Sequence, residues 1–397
     1  MTPPAPRSPA VASALRPYGT SIFTDMTLLA NAHGAVNLSQ GFPDFDGPEE
    51  IRRRAAALIL EGPNQYAPTI GVAALRRAVA EKTARFYGVR VDPDAEVTVT
   101  AGATEGLAAV FLGLLEPGDE VVLLDPSYDL YPAMIARAGG VPVHVPLERP
   151  GFALPREALR RAFTARTRAV VVNNPQNPCG KAYADEELAF IAALCAEHGA
   201  IAVGDEVYEH LVYDGRRHAT LLGVPGMRDR AIVVNSTAKT FSMTGWKVGY
   251  VVAAPELTRA VRMSHQFLTF CTPPAFQLAM AEALGTGDAY FEGLLADYSR
   301  KRELLCAGLA DAGLDVLPCE GTYFASVAID AARFGDDLAF CRFLAEKVGV
   351  AAIPSSYFYE GRRGGRDLVR FCFCKRDETL EEAIRRLRAW RRAGGDG

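Results

Sequence analysis

Short apolar runs alternate with segments of helical periodicity through the middle of the chain. Seven runs are predicted to be strands, at residues 96–100, 120–125, 141–147, 169–173, 201–205, 231–235 and 247–253. Between most of them apolar residues recur every three or four positions, as at Leu107, Val110, Phe111 and Leu114, which is typical of an amphipathic helix. This alternation predicts an α/β fold whose mostly parallel seven-stranded sheet is flanked by helices on both faces. The last two runs are too close together for a crossover helix, which favours one antiparallel strand there.

The pattern changes after residue 253. A long helical stretch is predicted over residues 274–312, and short strands follow at 314–317, 323–329, 350–354 and 368–374 around one helix at 337–348. A final helix is predicted to begin near Thr379, because Thr379 and Glu382 have the spacing of a capping box. Leu380, Ile384 and Leu387 share one face of that helix. The C-terminal part of the chain therefore predicts a smaller α+β domain.

Composition narrows the class of protein. The 397 residues are 49% hydrophobic and 23% charged, with a formal net charge of −4, which is ordinary for a globular protein. No basic stripe predicts nucleic-acid binding, and no apolar run reaches the ~18 residues that a membrane-spanning helix needs. Residues 1–10 are predicted to form a disordered tail rather than a signal peptide. We therefore expect a cytoplasmic protein with no nucleic-acid or membrane partner.

The cysteines and histidines are scattered along the chain. No CxxC pair occurs and the histidines lack metal-ligand spacing, so we expect reduced thiols and no metal site. Cys372 and Cys374 alternate along a predicted strand, and we expect their side chains to face opposite sides of it.

One lysine lies between a polar strand end and a glycine-rich return strand. Lys239 follows the predicted strand 231–235, and open α/β sheets bind ligands at the carboxyl ends of their strands. Ser236 precedes it by three residues and Lys247 follows it by eight. A lysine amine can form a Schiff base with an aldehyde, while a hydroxyl and a second cation suit a phosphate. The alternative is a surface lysine in a loop.

Other predicted strands are also followed by polar residues. Gly102, Ala103 and Thr104 open a helix after strand 96–100, where backbone N–H groups and the helix dipole favour an anion. Asn177 follows strand 169–173 in a loop with two Asn-Pro steps, which leaves amide groups free to face a ligand. Ordinary turns also favour these residue types, so the turn alternative stays open for each.

Aromatic and charged side chains complete the set of candidates. A carboxylate at Asp205 could keep a ring nitrogen protonated, with helix capping as the alternative, and the phenol of Tyr208 could bond to a ring hydroxyl. Tyr128 could stack on a flat ring or be a half-buried core residue. Arg370 lies inside an apolar strand, where its planar guanidinium suits a carboxylate unless it forms a structural ion pair.

Taken in order, these segments resemble a fold-type I, pyridoxal-phosphate-dependent aminotransferase of class I/II. The resemblance runs from about Ser21 to Trp390. It is greatest to the branch that holds kynurenine aminotransferases (glutamine transaminase K), bacterial methionine aminotransferases and succinyldiaminopimelate aminotransferases. The segments that carry it are residues 36–45, 64–66, 100–105, 174–180, 236–250 and 369–373.

The resemblance implies a pyridoxal 5′-phosphate cofactor and a role for each matching residue. Lys239 is similar to the Schiff-base lysine that also moves the substrate α-proton, and Asp205 to the partner of the ring nitrogen. Tyr208 and Asn177 are similar to the pair that bonds the phenolic oxygen, and Tyr128 to the aromatic that stacks on the ring. The residues that match the phosphate site are Gly102, Ala103, Thr104, Ser236 and Lys247.

The resemblance also implies a homodimer and a site for the substrate carboxylate. Tyr66 matches the residue that reaches the phosphate of the partner subunit, whereas Arg370, Asn177 and Gly41 match the α-carboxylate site. It divides the chain into a tail and arm (1–47) that pack with the small domain, a large cofactor-binding domain (48–297) and a small C-terminal domain (298–397). The implied reaction is ping-pong transfer of an amino group between an L-amino acid and a 2-oxo acid.

Two aromatic residues, Phe23 and Phe270, stand near positions that line the side-chain pocket in this branch, as do Ile22, Tyr323 and Tyr357. They favour a neutral apolar or aromatic substrate such as methionine, phenylalanine, glutamine or kynurenine, unless they are simply core residues. Kynurenine aminotransferases carry aromatic or His residues at the positions of Thr104 and Cys271, which weakens the kynurenine interpretation.

Other substrates and reactions stay open. Arg362, Arg363 and Arg366 in a glycine-rich loop could serve an acidic substrate, as in the succinyldiaminopimelate enzymes, or form a solvated charge run. The same apparatus could eliminate at Cβ, as a cysteine-conjugate C–S lyase does, or serve a specialised biosynthetic reaction.

Overall fold

The structure is a computed structural model that describes residues 11–19 and 21–394. The predicted tail at residues 1–10 lies outside the described residues. The helices are α1 (Ile22–His33), α2 (Glu49–Glu61), α3 (Ala73–Tyr87), α4 (Gly102–Leu114), α5 (Leu130–Arg137), α6 (Arg156–Ala162), α7 (Asp185–His198), α8 (Thr237–Thr240), α9 (Pro255–Leu268), α10 (Pro274–Leu284), α11 (Asp288–Asp311), α12 (Ala331–Phe334), α13 (Asp337–Phe343) and α14 (Asp377–Arg392). No helix in these ranges is long and apolar enough to cross a membrane.

A seven-stranded sheet forms the centre of the larger part of the molecule. The strands are β1 (Val36–Asn37), β2 (Val97–Ala101), β3 (Glu120–Asp125), β4 (Val141–Pro146), β5 (Thr167–Asn173), β6 (Ile201–Asp205), β7 (Ala231–Ser236), β8 (Val248–Ala253), β9 (Asp315–Val316), β10 (Phe324–Ala328), β11 (Val350–Ala351), β12 (Ile353–Pro354) and β13 (Leu368–Cys372). The sheet order is β2-β8-β7-β6-β5-β3-β4, and β8 alone runs against its neighbours. The predicted α/β fold with a mostly parallel sheet is confirmed, including the antiparallel strand near its end.

Both faces of this sheet are buried, because successive side chains of a strand point to opposite faces. On β5, Val170 and Val172 pack into one apolar core, whereas Ala169 and Val171 pack into the other. The near-continuous apolar runs in the sequence are thus explained by helices that cover the sheet on two sides.

A second unit is built on the antiparallel sheet β12-β13-β10-β9, and β1 pairs with β11 in a separate parallel pair. Its core also contains Ile22, Met26 and Leu38 from the N-terminal segment, so that segment packs against the C-terminal strands. The predicted strand 350–354 is wrong in one respect, because its two halves belong to different sheets.

Three predicted helices need correction. The stretch 274–312 is two helices, since the chain leaves helical geometry at Gly285 and resumes at Asp288. The helix predicted at 337–348 is α-helical only as far as Phe343, and residues 344–348 form a wider π-helical turn. The capping box is also wrong, because α14 begins at Asp377 and the Thr379 hydroxyl donates instead to Asp44 at 2.6 Å.

The prediction for Cys372 and Cys374 is wrong as well. Side chains two positions apart on a strand point to the same face, and the two Sγ atoms lie 3.0 Å apart.

Candidate active site

A cavity of about 310 Å³ lies where the carboxyl ends of β2, β5, β6 and β7 meet. Parallel strands present their carboxyl ends at one edge of a sheet, so residues distant in the sequence converge there. Its lining includes the candidate residues Phe23, Gly41, Gly102, Ala103, Thr104, Tyr128, Asn177, Asp205, Tyr208, Ser236, Lys239, Lys247 and Arg370. The other lining residues, which were not predicted to be site residues, are Gln40, Leu107, Leu130, Tyr131, Asn173, Val207, Ala238, Thr244 and Phe324.

Lys239 is presented by the short helix α8 directly after β7. The Ser236 hydroxyl caps this helix by accepting a hydrogen bond from the Ala238 N–H at 3.1 Å. The Lys239 Nζ lies 5.7 Å from the ring centre of Tyr208 and 5.6 Å from that of Tyr323. Among the described residues it has no hydrogen bond and no ion pair, and burial lowers its pKa. Its amine is therefore available for chemistry.

One end of the cavity combines groups that suit an anion. Gly102 has φ 74° and starts α4, a helix of 13 residues whose N-terminal N–H groups face the cavity. A Cβ at Gly102 would come 3.1 Å from the Nζ of Lys247, so the ammonium group lies against this turn. A Cβ at Gly249 would come 2.5 Å from the Gly102 carbonyl carbon, so glycine is required for β8 to approach the turn. Helix dipole, ammonium group and the Ser236 hydroxyl together suit a phosphate.

Asp205 lies at the end of β6 and is 5% exposed. Its Oδ2 accepts a hydrogen bond from the Tyr131 hydroxyl at 2.6 Å. Burial raises the pKa of Asp205 to about 6, against the lowering effect of that hydrogen bond. No cation lies within 4 Å of its carboxylate among the described residues, so a cationic group in the cavity would stabilise its charged form.

Asn177 and Tyr208 both line the cavity. The Asn177 N–H donates to Oδ1 of Asn173 at 2.7 Å, and Asn173 in turn donates to the backbone oxygen of Asp205 at 2.8 Å. This link joins the ends of β5 and β6, so Asn177 is held in register with Asp205. The Tyr208 ring packs edge-on against that of Tyr323 with ring centres 5.0 Å apart, and burial raises the pKa of Tyr208.

Arg370 is buried without a counterion, at 1% exposure. Its Nη1 donates to Oδ1 of Asn177 at 2.9 Å and its Nη2 to the backbone oxygen of Ser39 at 2.8 Å, while Nε has no partner. Its guanidinium carbon lies 4.0 Å from the ring centre of Phe324 and 5.2 Å from that of Phe23. No carboxylate lies within 4 Å of it among the described residues, and burial lowers its pKa. A buried cation of this kind suits an anionic ligand.

Gly41 belongs to the same wall of the cavity. Its carbonyl accepts a hydrogen bond from the Tyr323 hydroxyl at 2.6 Å, and a Cβ there would come 2.8 Å from Cζ of Phe324. Tyr323, predicted to line the side-chain pocket, thus lies behind the wall and holds the Gly41 peptide in place.

Two candidate residues lie outside this cavity. Tyr66 is 84% exposed and Phe270 is 45% exposed, and their rings are in edge-on contact with centres 5.2 Å apart. Tyr66 lines a separate surface hollow together with Cys271. The structure therefore does not bring Phe270 into the cavity of its own chain.

The predicted arginine cluster also lies elsewhere. The Arg362 guanidinium stacks 3.8 Å from the ring centre of Tyr357, and Arg366 pairs with Asp336 at 3.0 Å. Neither these arginines nor Tyr357 belong to the described cavity lining.

Comparison with known proteins places this chain in a family. Residues 34–387 match the family model for aminotransferase class I and II. The chain is 47% identical over 385 residues to the probable N-succinyldiaminopimelate aminotransferase of Mycobacterium tuberculosis, covering 94% of this chain and 97% of that protein. It is 44% identical over 376 residues to the methionine aminotransferase of Escherichia coli K12, covering 95% and 97%. The solved structure of N-succinyldiaminopimelate aminotransferase from M. tuberculosis superposes with a TM-score of 0.93 at 48% identity, covering 96% and 100%.

The chain belongs to the class I and II aminotransferase family. It is a pyridoxal-phosphate-dependent aminotransferase of fold type I, which moves an amino group between an amino acid and a 2-oxo acid. The cavity fits that cofactor, because a buried carboxylate without a cation, an uncommitted amine and an anion site line the same space.

Proposed function

We propose that the cavity binds pyridoxal phosphate and the substrate through the candidate residues named above. Gly102, Ala103, Thr104, Ser236 and Lys247 would hold the phosphate at the start of α4. Asp205 would pair with the ring nitrogen, Tyr208 and Asn177 with the phenolic oxygen, and Tyr128 with the ring face. When bound, the cofactor supplies an aldehyde carbon and an electron-withdrawing pyridinium ring.

This proposal rests chiefly on the observation that Lys239 and Arg370 line the same cavity. The first is an amine without a partner and the second is a buried cation without a counterion. An α-amino acid carries one group for each, because its carboxylate fits the guanidinium and its amine is then directed toward Lys239. The Gly41 backbone would complete the carboxylate site.

Lys239 would act as the general base. Burial lowers its pKa, so Nζ is neutral at a lower pH than an exposed lysine would be. A neutral Nζ can take the proton from the substrate α-carbon, and it would deliver that proton to the carbon that the cofactor supplies as its aldehyde. The rings of Tyr208 and Tyr323 flank Nζ and limit the access of water.

We propose a neutral apolar or aromatic amino acid as the amino donor, such as methionine, phenylalanine, glutamine or kynurenine. The cations in the described lining are Lys239, Lys247 and Arg370, and each already has a role. The remaining wall includes Phe23, Leu130 and Phe324, which favour an uncharged side chain. The relation to the methionine aminotransferase of E. coli supports this choice.

The second candidate is a succinyldiaminopimelate-type substrate. It is favoured by the 47% identity to the probable enzyme of that name from M. tuberculosis. A distal carboxylate would then need a cation from outside the described lining, for example Arg362 after a rearrangement of its loop.

We further propose a homodimer in which Tyr66 reaches the phosphate of the partner subunit and Phe270 its side-chain pocket. Several large apolar side chains are exposed near these two residues, including Leu60 at 87% and Phe267 at 83%. Exposed apolar patches of this kind mark interfaces.

We also propose that the chain is divided into an arm (1–47), a large domain (48–297) and a small domain (298–397), and that the protein is cytoplasmic.

A mixed-subunit experiment tests the dimer. Lys239→Ala and Tyr66→Ala subunits are each expected to have low activity. After subunit exchange in a 1:1 mixture about half of the dimers are mixed, so up to about a quarter of all sites should recover activity. In the mixed dimer one site combines Lys239 of one chain with Tyr66 of the other. No recovery, despite exchange of subunits, would place Tyr66 in its own chain's site.

A half-reaction screen tests the reaction and the substrate. The holoenzyme is mixed with one amino acid and no acceptor, and 2-oxo acid and ammonia are measured per active site. We expect about one equivalent of 2-oxo acid and no ammonia with methionine or phenylalanine. Continuous release of pyruvate and ammonia from a cysteine conjugate would instead indicate a lyase. A preference for succinyldiaminopimelate by more than about 100-fold in kcat/KM would favour the second candidate.

A further inference from the structure

Two buried thiols follow Arg370 closely along the chain, Cys372 as the last residue of β13 and Cys374 two residues beyond it. Cys372 and Cys374 are both 0% exposed, and their Sγ atoms are 3.0 Å apart. The chain bends sharply after β13, where the Lys375 N–H donates to the backbone oxygen of Phe373 at 2.8 Å. The two side chains lie on the same side of the backbone where this bend begins.

The segment is held from both sides. The Cys372 N–H donates to the backbone oxygen of Leu38 at 2.9 Å, and the Phe373 N–H donates to that of Tyr323 at 2.9 Å. Leu38 is followed by Ser39, whose carbonyl accepts from Arg370. A shift of the backbone at 372–374 would therefore displace Leu38 and the neighbouring Ser39, whose carbonyl group helps to position Arg370.

The charges around the pair favour a thiolate on one of the two sulfurs. Burial opposes ionisation, but the hydrogen bond from Cys374 and the charges of Lys375 and Arg370 lower the pKa of Cys372 to about 7. Burial and the neighbouring Cys372 raise the pKa of Cys374. The lowered pKa favours the thiolate form of Cys372, and the thiol of Cys374 lies 3.0 Å from it.

We propose that Cys372 and Cys374 are a modification site for peroxide-class two-electron oxidants, which join them in an internal disulfide. The Cys372 thiolate attacks one peroxide oxygen, an S–O bond forms, the O–O bond breaks and hydroxide leaves. The sulfur of Cys374 then attacks Cys372, the S–S bond forms, the S–O bond breaks and the oxygen leaves as water. The thiol proton of Cys374 leaves with that oxygen, and the hydroxide from the first step takes a proton from solvent. The two sulfurs lose two electrons, hydrogen peroxide gains them, and the products are one disulfide and two waters.

The disulfide is coupled to substrate binding through Arg370. A disulfide needs an S–S distance of about 2.05 Å and a dihedral near 90°, so both side chains and the bend at 373–375 must shift. A displacement of ~1 Å in a group that positions the substrate can lower the rate by up to about 100-fold. The oxidised enzyme is therefore expected to have a KM for the amino acid raised by about 10- to 100-fold. This consequence rests on the proposed role of Arg370 in binding the α-carboxylate.

Peptide mapping tests the modification itself. The holoenzyme is treated with hydrogen peroxide, denatured, alkylated with iodoacetamide and digested with trypsin. Cleavage after Arg370 and Lys375 leaves both cysteines in one peptide, residues 371–375. We expect this peptide to lose two hydrogen masses and to take no alkyl group, and dithiothreitol should reverse the change. A peptide still alkylated at both sulfurs, while other cysteines are oxidised, would overturn the proposal.

Kinetics on the same samples test the coupling. Oxidised wild-type enzyme should show the raised KM, and Cys374→Ala and Cys372→Ala enzymes should keep their KM after peroxide treatment. Cys341→Ala removes another fully buried thiol, on α13, and should respond to peroxide as the wild type does. An oxidised peptide with unchanged KM would overturn the coupling to Arg370. The mass result does not depend on the reaction catalysed, so failure of the proposed function remains distinguishable.

Discussion

Replacing Tyr131 with phenylalanine removes one hydroxyl group, which donates a 2.6 Å hydrogen bond to Oδ2 of Asp205. A hydrogen bond to a charged group contributes about 1.5–3 kcal/mol, which corresponds to about one to two pKa units. The pKa of Asp205 is already raised to about 6 by burial, and loss of Tyr131 should raise it further. At a pH where half of the wild-type molecules have an ionised Asp205, most variant molecules therefore carry a proton on Asp205. They must lose that proton when they bind a cationic ring.

This reasoning fixes the pH dependence of cofactor binding. Near pH 6 the ionised fraction of Asp205 falls from about one half to between about 1/11 and 1/101, so the variant's Kd for pyridoxal phosphate should be raised by about 5- to 50-fold. Near pH 9 Asp205 is ionised in both proteins before the cofactor binds, so the two Kd values should converge. The measurement is a fluorescence titration of apoenzyme with pyridoxal phosphate at several pH values.

A matched control removes a different buried phenol. Tyr183 donates to Gln176 away from Asp205, and Tyr183→Phe should leave Kd unchanged at every pH. If Tyr131→Phe raises Kd by the same factor at pH 6 and pH 9, the effect is loss of packing. The electrostatic role of Tyr131 would then be refuted.

Three further changes have defined outcomes. Burial raises the pKa of Asp205 from 3.8 to about 6. At about 1.4 kcal/mol per unit, this lowers the free energy of unfolding of the apoenzyme by about 3 kcal/mol above pH 6 and by almost nothing below pH 4. Asp205→Asn apoenzyme should therefore resist urea better than wild type at pH 8, with a smaller gain at pH 5, and bind the cofactor more weakly. Arg370→Lys should raise KM for the amino donor by about 100-fold in steady-state assays while cofactor absorbance is kept, because lysine lacks the planar fork. Gly249→Ala should weaken cofactor binding, since its Cβ would meet Gly102 at 2.5 Å, whereas Gly245→Ala has nothing within 4 Å and should bind normally in the same titration.

Most of the cavity could be predicted from the sequence, because many of its lining residues directly follow the carboxyl ends of strands. Asn177, Asp205 and Lys239 each follow an apolar run, and carboxyl ends of parallel strands meet at one edge whatever the details of packing. Arg370 could be found for a different reason, since a charge within an apolar strand requires an explanation.

Other residues gave no comparable signal. Tyr131 lies inside α5 at a spacing that equally fits a core aromatic, and only the folded chain shows its hydroxyl at Asp205. Phe270, named from the resemblance, is 45% exposed and lies outside the cavity of its own chain, and the sequence alone did not indicate this. The contact between Cys372 and Cys374 agrees with the two-residue repeat of a strand, and the prediction that they face opposite sides is wrong.

The central claim is that Lys239 is the amine that bonds the cofactor, and borohydride reduction of the holoenzyme tests it most directly. Reduction fixes the pyridoxyl group on the amine that holds it, and peptide mapping then locates the label. We expect the label on Lys239, with none in Lys239→Ala enzyme that still binds the cofactor's phosphate through Lys247 and the start of α4. A label on Lys247 or on any other lysine of the wild-type protein would contradict the account.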